Sequence, residues 1–242
     1  MKSLFNLILK IIDFFYQRKI INFFKTNTKL EYDVLIDVGA HEGETVINFL
    51  KNFKVQNIYS FEASKKTYDK LEVKIIEIRK KYRKTNIEIF NKGVGNSNNH
   101  KSFNELPESN SSTFNSIDQQ SSYFKRKNKI LSLFIKKDFF IKKTIISQIK
   151  LTDFIKQKKI IKIDILKIDT EGYEFEVLKG LGDSIKLVNY IYFEHHYDNM
   201  IKKNYKFSQI HSYLDASGFD RVFKIKMPLR KSFDYIYHKK TV

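Results

Sequence analysis

The chain has 242 residues, a formal net charge of +18, 42% hydrophobic residues and no cysteine. This length suits one sizeable α/β core, and the missing cysteine excludes disulfides, thiolate metal sites and a cysteine nucleophile while permitting a cytoplasmic protein. The positive charge is compatible with binding to nucleic acid or to an anionic membrane. Lysine occurs throughout the chain, however, which favours a general compositional bias over a binding surface where the basic residues are clustered.

The first 30 residues are predicted to be an amphipathic helical extension that precedes a main domain of residues 31–242. Apolar side chains recur at helical spacing in residues 1–25, and basic residues interrupt them. No apolar run reaches the ~20 residues of a membrane span. Such a helix either packs on its own domain or lies on a membrane surface. We favour packing and keep peripheral contact at the inner face of the membrane as the alternative.

Residues 34–38 form a short β-branched run that is typical of a buried parallel strand. Gly39 and Gly43 follow and suit a tight turn before the next helix, a place where open parallel sheets bind ligands. The G-x-G-x-x-G pattern is absent, and Glu42 and Glu44 stand where a pyrophosphate would need a positive helix end. The turn therefore favours a ligand without phosphate, and a nicotinamide oxidoreductase ranks last among the candidate classes.

Strands and helices then alternate, as in a doubly wound sheet. The predicted strands are residues 57–62, 86–91, 144–150, 162–168 and 188–193. The predicted helices are residues 44–53, 64–83, 153–157, 173–181 and 207–217. Strands over 221–226 and 233–238 are expected to close the sheet edge as a hairpin around Pro228. Residues 115–143 are a basic insertion that we interpret as a lid, and residues 109–113 are expected to be a mobile polar loop.

Carboxylates stand at the ends of three predicted strands: Asp37, Glu62, and Asp169 together with Glu171. The ends of parallel strands meet at one crevice, so we expect these side chains to converge. A carboxylate that ends the second strand can accept two hydrogen bonds from a ribose diol. Acidic residues around the first turn suit a cationic ligand, which favours a sulfonium cofactor over a dinucleotide.

Four parts of the sequence together resemble the FkbM family of S-adenosylmethionine-dependent methyltransferases. They are residues 37–43 (DVGAHEG), Glu62, residues 91–95 (NKGVG) and residues 166–180 (LKIDTEGYEFEVLKG). The last part is the most specific. The resemblance covers about residues 33 to 240. It implies an α/β, Rossmann-like class I methyltransferase fold, with a mostly parallel, doubly wound sheet and an antiparallel C-terminal hairpin.

The resemblance implies S-adenosyl-L-methionine as the cofactor and a set of residues that bind it. The implied contacts are Asp37, Gly39, Ala40, His41 and Gly43 at the methionine and ribose end, Glu62 at the ribose hydroxyls, Asn91 and Val94 near the adenine, and Asp169 at the methyl group. Two positions depart from the family pattern. His41 stands where asparagine is usual, and Glu62 lacks the proline that often follows it.

Methyl transfer is an in-line displacement, so the protein mainly has to align the acceptor oxygen and remove its proton. Asp169 and Glu171 are the predicted bases, although Glu171 could instead bond backbone amides at the helix start. Glu194, His195 and His196 are alternatives from the neighbouring strand end. We include His196 in the predicted catalytic set because histidine has the better intrinsic pKa. Nothing in the spacing requires a metal, and none is predicted.

The acceptor is predicted to be a sugar hydroxyl in a glycan or a hydroxyl of a small metabolite, on the basis of the family resemblance alone. An RNA methyltransferase, suggested by the charge, is the first rival, although nucleic acid is not the expected partner. A non-catalytic, membrane-associated cofactor-binding protein is the second. The oligomeric state is left open.

Overall fold

The structure is a computed structural model that describes residues 2–106, 112–132, 141–228 and 230–240. Its helices are α1 (Lys2–Asn27), α2 (Glu44–Asn52), α3 (Lys65–Lys81), α4 (Ser122–Ser132), α5 (Leu151–Gln157), α6 (Glu174–Lys179) and α7 (Phe207–Ala216). Its strands are β1 (Glu31–Val38), β2 (Lys54–Phe61), β3 (Asn86–Phe90), β4 (Gly93–Val94), β5 (Asn99–Glu105), β6 (Ser116–Ile117), β7 (Lys142–Ile149), β8 (Ile163–Ile168), β9 (Val188–His196), β10 (Ile201–Lys202), β11 (Phe219–Lys226) and β12 (Ser232–Lys239).

Within the described ranges, seven strands form the central sheet in the order β11-β12-β9-β8-β1-β2-β3. The five strands from β9 to β3 pair in parallel, and β12 runs antiparallel to both β9 and β11. This arrangement confirms the predicted mostly parallel, doubly wound sheet with an antiparallel C-terminal hairpin. Chain order reverses between β1 and β8, which makes their carboxyl ends the place where such a sheet opens a crevice.

Helices cover both faces of the sheet, and each face has its own apolar core. One core joins α1, α2 and α3 to the sheet, and the other joins α5, α6 and α7 to the opposite face. In α3, Leu71, Ile75 and Ile78 are buried, whereas Ile76 is exposed. The reason is helical geometry, since Ile76 directly follows Ile75 and points about 100° away from it.

The C-terminal half of α1 packs against the sheet. Phe24 is fully buried, with ring centroids 5.6 Å from Phe49, 5.8 Å from Tyr190 and 6.4 Å from Tyr192. Full burial of a phenylalanine relative to solvent contributes about 1.5–3 kcal/mol. The helix therefore bridges α2 and β9 and closes one face of the sheet.

A small second sheet, in the order β4-β7-β5, was not predicted. The predicted strand at 144–150 corresponds to β7, but no strand was predicted at its partner β5. The sequence of β5, NHKSFNE, is polar, and only Phe103 and Asn104 are buried in it. Edge strands of this kind carry little hydrophobic alternation to detect. Most of the predicted mobile loop, residues 109–111, lies outside the described residues.

The basic insertion is described only in part, because residues 133–140 lie outside the described residues. Before them, β6 pairs with β10, and Phe124 of α4 packs against Met200 and Ile201. These contacts join the insertion to the segment that follows β9. The interpretation of residues 115–143 as a lid stays a prediction.

Candidate active site

A cavity of about 530 Å³ opens at the carboxyl ends of β1, β2, β8 and β9. This volume is typical of a small-molecule site. One end of the cavity is formed by the turn after β1 and by Phe61, Glu62 and Val94. The other end is formed by β9, the C-terminal hairpin and Gln17 of α1.

Gly39 allows β1 and β8 to come together at the cavity floor. Its φ is +80°, and a Cβ there would lie 1.8 Å from the carbonyl oxygen of Asp169. The two strand ends are joined by the hydrogen bond from the Asp169 amide to the Val38 carbonyl, 2.9 Å. A side chain at this position is excluded by both conformation and space. His41, two residues later in the same turn, has φ +48°. This value lies in the left-handed region of the backbone, where asparagine and histidine are enriched.

The carboxylate of Glu62 is held rigidly at the end of β2. Its Oε2 accepts a hydrogen bond from the His41 amide and its Oε1 accepts one from the Ser64 amide, both 2.9 Å. Asn91 supports the same loop, because its side-chain amide donates to the backbone carbonyl of Glu62 at 2.9 Å. Burial raises the pKa of Glu62 to about 7, against the lowering effect of the backbone hydrogen bonds. The carboxylate lines the cavity with acceptor capacity to spare.

Lys167 lies beneath the cavity and carries the only buried ammonium among the described residues that line it. Its Nζ lies 3.4 Å from Asp37 Oδ1 and 3.4 Å from Asp169 Oδ2. Burial opposes the charged lysine, but the attraction of Asp37 and Asp169 outweighs it and raises the pKa of Lys167. Asp37 is fully buried, and burial raises its pKa. Lys167 therefore links a buried carboxylate to Asp169, which is 35% exposed at the cavity wall.

Glu194 and Asp234 place further carboxylates at the far end of the cavity. They face each other across the antiparallel register of β9 and β12. Asp234 Oδ2 accepts a hydrogen bond from the Tyr192 hydroxyl, 2.9 Å. Burial raises the pKa of Glu194 to about 8 and that of Asp234 to about 7. Together with Asp169 they form a row of carboxylates on three neighbouring strands, which we call the carboxylate row.

The two histidines at the end of β9 point to opposite faces, as alternation along a strand requires. His195 packs among aromatic rings, 4.8 Å from Tyr197 and 5.3 Å from Phe207 between centroids, and burial lowers its pKa to about 3. His196 lies behind the cavity wall. Its Nε2 is 3.1 Å from Glu171 Oε2 and 3.3 Å from Glu194 Oε1, and its Nδ1 is 3.4 Å from Asp198 Oδ2.

The charge state of His196 follows from these neighbours. Burial opposes the imidazolium, but the attraction of Glu171 and Glu194 outweighs it and raises the pKa of His196 well above its ordinary value. An imidazole that already carries two protons has no free nitrogen with which to accept another. In this structure His196 is therefore a cationic partner of carboxylates.

Most of the predicted site residues line one cavity, and a few lie just behind it. The lining residues are Gly39, Ala40, His41, Glu62, Val94, Asp169 and Glu171. Asp37, Gly43, Asn91 and His196 are outside the lining. Asp37 contacts Lys167, and Asn91 holds the loop after β2. Gly43 has φ +89° at the N-terminus of α2, and His196 contacts Glu171 and Glu194.

Sequence reasoning missed Gln17, Lys167, Tyr192 and Asp234 at this site. Lys167 left a detectable signal, because a lysine near the end of the mostly apolar strand 163–168 is unusual unless it is paired. The other three depend on contacts between segments far apart in the chain. No local pattern indicates that α1 or the C-terminal hairpin reaches the cavity.

The cavity is acidic although the chain is basic. The acidic lining residues are Glu44, Glu62, Asp169, Glu171, Glu194 and Asp234, and the lysine and arginine lining residues are Lys92, Lys167 and Arg230. This excess of carboxyl groups suits a sulfonium cation, whose charge would favour their ionised form, and the fixed Glu62 carboxylate suits a ribose diol. Because Gly39 lies too close to the Asp169 carbonyl oxygen to carry a side chain, the turn presents its backbone at this point. The residues present therefore fit S-adenosylmethionine.

Two further observations concern the described residues. They contain no group of three or more histidine, aspartate or glutamate side chains arranged to hold a metal ion. None of the described helices is both long enough and apolar enough to cross a membrane.

Comparison with known proteins connects this geometry to one family. The methyltransferase FkbM domain matches residues 37–221. A search of curated proteins finds no match. A methyltransferase FkbM from Methylobacillus flagellatus has a similar structure, with a TM-score of 0.57, 13% sequence identity, and coverage of 88% of this chain and 45% of that chain. This chain therefore spans less than half the length of that protein.

Magnesium protoporphyrin IX methyltransferase from Synechocystis, solved with bound S-adenosylmethionine, has a TM-score of 0.55 and 10% sequence identity. The match covers 96% of this chain and 82% of that chain. At these identities the two structures show the shared fold.

Proposed function

Because the chain belongs to the FkbM methyltransferase family, we propose that it transfers a methyl group from S-adenosylmethionine to a hydroxyl oxygen of a sugar or a small metabolite. The observation that carries this proposal is the Glu62 carboxylate, fixed by two backbone amides at the end of β2 beside the open turn at Gly39. S-adenosylmethionine is the methyl donor of this family, and when bound it supplies an already activated methyl group.

At the cofactor end of the cavity, we assign binding roles to the residues around the carboxyl ends of β1 and β2. Glu62 would accept the ribose hydroxyls, and Gly39, Ala40 and His41 would present backbone at the ribose and methionine end. Val94 would lie against the adenine, and Asn91 keeps the Glu62 loop in place. Asp37 and Gly43 act from behind, through Lys167 and through the start of α2.

The acceptor end holds the residues that we propose for catalysis. Asp169 lies directly after β8 and orients the acceptor. The Lys167 Nζ atom lies 3.4 Å from its Oδ2 atom. Glu171 and His196 form an ion pair at the wall, 3.1 Å apart. These groups leave carboxylate oxygens to accept hydrogen bonds from an acceptor hydroxyl.

The acidic lining supports a neutral polyhydroxyl acceptor over nucleic acid. Carboxylates accept hydrogen bonds from hydroxyl groups, whereas a phosphate backbone is repelled by them. A nucleic-acid site instead gathers lysine and arginine on the surface that binds. The positive charge of this chain is distributed elsewhere, so we rank an RNA acceptor second.

The test is calorimetric titration of the chain with S-adenosylmethionine and S-adenosylhomocysteine, followed by methyl transfer to a panel of glycans, small hydroxylated metabolites and RNA. We expect micromolar binding, worth roughly 7–8 kcal/mol, and transfer to a hydroxylated acceptor in the first two groups. The absence of binding would remove the basis of the proposal. Binding without transfer to any acceptor would favour a non-catalytic cofactor-binding protein.

We also propose that the exposed side of α1 around Phe14 and Phe15 contacts an anionic membrane surface. Phe14 and Phe15 are exposed, 61% and 56%, and the exposed cations Arg18 and Lys19 stand four residues after them, about one helical turn away. Exposed aromatic rings beside basic residues suit the lipid–water interface. Co-sedimentation with vesicles that contain anionic lipid, compared with neutral vesicles, tests this contact, and equal recovery of protein with both would contradict it.

The insertion at residues 115–143 is proposed to cover the acceptor end as a lid. Tyr123 of α4 lies within electrostatic range of His196 and Asp198. Limited proteolysis with and without S-adenosylhomocysteine and acceptor tests the lid, and unchanged cutting of the insertion would argue against it.

A further inference from the structure

The first helix, α1, connects the cavity to an exposed aromatic surface. Tyr16 is buried with its hydroxyl facing Asp234, and the next residue, Gln17, lines the cavity. The two residues before them, Phe14 and Phe15, are exposed. A helix with its side chains is about 10–12 Å across. The exposed rings are therefore separated from the cavity wall by roughly the thickness of the helix.

The direction of α1 places these rings at the end of the sheet where the cavity opens. The Asn27 carbonyl, at the end of α1, accepts a hydrogen bond from Tyr190 near the start of β9. Tyr16 instead faces Asp234, which is the β12 partner of Glu194 near the end of β9. The helix therefore runs antiparallel to β9, and the part of it before Tyr16 continues past the carboxyl ends of the strands.

The polarity of α1 changes along its length. Within residues 14–27, the exposed side chains after Phe15 are all polar or basic: Arg18, Lys19, Asn22, Lys25, Thr26 and Asn27. Before Phe14, all residues of the segment 4–12 except Asn6 and Lys10 are apolar. An apolar segment beside cations suits the boundary between lipid head groups and acyl chains. These features place the lipid-facing part of α1 at the cavity end of the helix, not along its whole length.

The acceptor end of the cavity suits a hydroxylated head group. Glu194 and Asp234 line it together with Gln17 of α1, and their oxygen and nitrogen atoms form hydrogen bonds with hydroxyl groups. The same helix therefore presents a polar side chain to the cavity and aromatic rings to the surroundings. A molecule with a hydroxylated head and an apolar tail matches both sides of this wall.

We infer that the methyl acceptor is a glycolipid in an anionic membrane, whose sugar head enters the cavity beside α1 while its hydrocarbon tail stays in the bilayer. This inference rests on the proposed methyl transfer and on the proposed membrane contact of α1. A hydroxyl oxygen of the head group forms the bond to the methyl carbon, and the electron pair of the broken carbon–sulfur bond stays on sulfur. The hydroxyl proton passes to the carboxylate row.

The position of the cavity relative to the membrane can be measured without knowing the sugar, because the chain contains no tryptophan. One tryptophan is introduced as Phe15→Trp, Met227→Trp or Ile161→Trp, and energy transfer to a dansyl-labelled lipid is measured on vesicles of phosphatidylglycerol and phosphatidylcholine. Met227 lines the cavity, whereas Ile161 is 86% exposed and precedes β8 at the amino ends of the strands. The six residues of β8 separate these two ends by about 20 Å.

We expect strong energy transfer from Phe15→Trp, intermediate transfer from Met227→Trp and weak transfer from Ile161→Trp, because the transfer falls steeply with distance. Thermal melting shows whether each variant is folded. Transfer from Ile161→Trp that equals or exceeds that from Met227→Trp would overturn the inference, since the cavity would not face the lipid. Absence of transfer from all three would overturn the membrane contact as well, and methyl transfer would still stand.

The acceptor class is tested by offering each sugar twice, as a water-soluble methyl glycoside and as a diacylglycerol glycoside in the same vesicles. We expect transfer to the lipid-linked form to be about tenfold faster or more at equal total concentration, because enzyme and acceptor share one surface. The double substitution Phe14→Ser/Phe15→Ser is expected to weaken vesicle binding about 10²-fold, since two rings no longer enter the lipid. It should remove the preference and leave the affinity for S-adenosylhomocysteine unchanged. Ile161→Ser is the matched control.

The outcomes separate this inference from the proposed function. Faster transfer to the soluble glycosides, or an undiminished preference in folded Phe14→Ser/Phe15→Ser, would overturn the glycolipid acceptor and leave methyl transfer intact. Failure of the parent to bind S-adenosylmethionine would overturn both. If no sugar is methylated in either form, the order of energy transfer from Met227→Trp and Ile161→Trp decides.

Discussion

Replacing Glu62 with alanine tests the cofactor end of the cavity directly. The carboxylate accepts backbone amides of His41 and Ser64 at 2.9 Å, one on each oxygen. Each oxygen keeps a second lone-pair position, which matches the two O–H donors of a ribose. Hydrogen bonds to a charged group contribute about 1.5–3 kcal/mol each. The loss of two therefore costs about 3–6 kcal/mol of binding, or roughly a 10²–10⁴-fold rise in Kd.

The assay is calorimetric titration of Glu62→Ala with S-adenosylhomocysteine. The variant also leaves two backbone amides without an acceptor, at about 1–3 kcal/mol each, so its Tm is expected to fall and has to be measured first. Glu88→Ala is the control, because Glu88 pairs with Lys158 at 2.6 Å outside the cavity lining. A folded Glu62→Ala protein whose Kd rises less than about fivefold would refute the ribose-clamp reasoning, since that is below the loss of one such bond.

The pH dependence of the parent gives a second check on Glu62. Its folded pKa is raised to about 7 by burial, and only the ionised carboxylate accepts both ribose hydroxyls. Affinity for S-adenosylhomocysteine is therefore full above about pH 7 and falls as the pH drops below it, approaching tenfold per pH unit. Constant affinity between pH 5.5 and 8.5 would show that Glu62 does not titrate in the free site.

Three further substitutions test the frame around the cavity. Gly39→Ala is expected to lower the Tm and abolish S-adenosylhomocysteine binding, because the new Cβ would lie 1.8 Å from the backbone oxygen of Asp169, which directly follows β8; an unchanged Tm would contradict this. Lys167→Met is expected to cost about 3–5 kcal/mol of stability in urea denaturation at pH 8, and less at pH 5, where buried Asp37 can take up a proton; equal losses at both pH values would contradict the pairing. Phe24→Ala is expected to cost about 3–5 kcal/mol, whereas exposed Phe14→Ala stays within about 0.5 kcal/mol; similar Tm values for the two variants would show that α1 does not pack on the core.

The parts of the fold that the sequence predicted are those with a local physical signature. The apolar run before Gly39 indicates a buried strand, and the glycine itself indicates a turn that no other residue fits. Glu62 could be singled out because it ends the next strand at the same sheet edge, where the two neighbouring strand ends converge.

The parts that could not be predicted depend on where distant segments meet. The polar strand β5 is formed by pairing with β7, not by its own alternation. Asp234 reaches the cavity because β12 inserts antiparallel beside β9, in a register that places it opposite Glu194. His196 could be noticed in the sequence, but its proton depends on Glu171 and Asp198, whose closeness only the fold creates.

The packing of α1 also has a consequence for how the chain is made. The hydroxyl of Tyr190 donates to the carbonyl of Asn27 at the end of α1, 163 residues away in sequence, and Phe24 packs on the same strand. At about 5–20 residues per second, synthesis of that interval takes roughly 8–33 s. During that time the apolar side of α1 has left the ribosome and its binding strand does not yet exist. Packing of the helix is therefore tied to the appearance of β9, and this domain completes its folding only after that strand has been made.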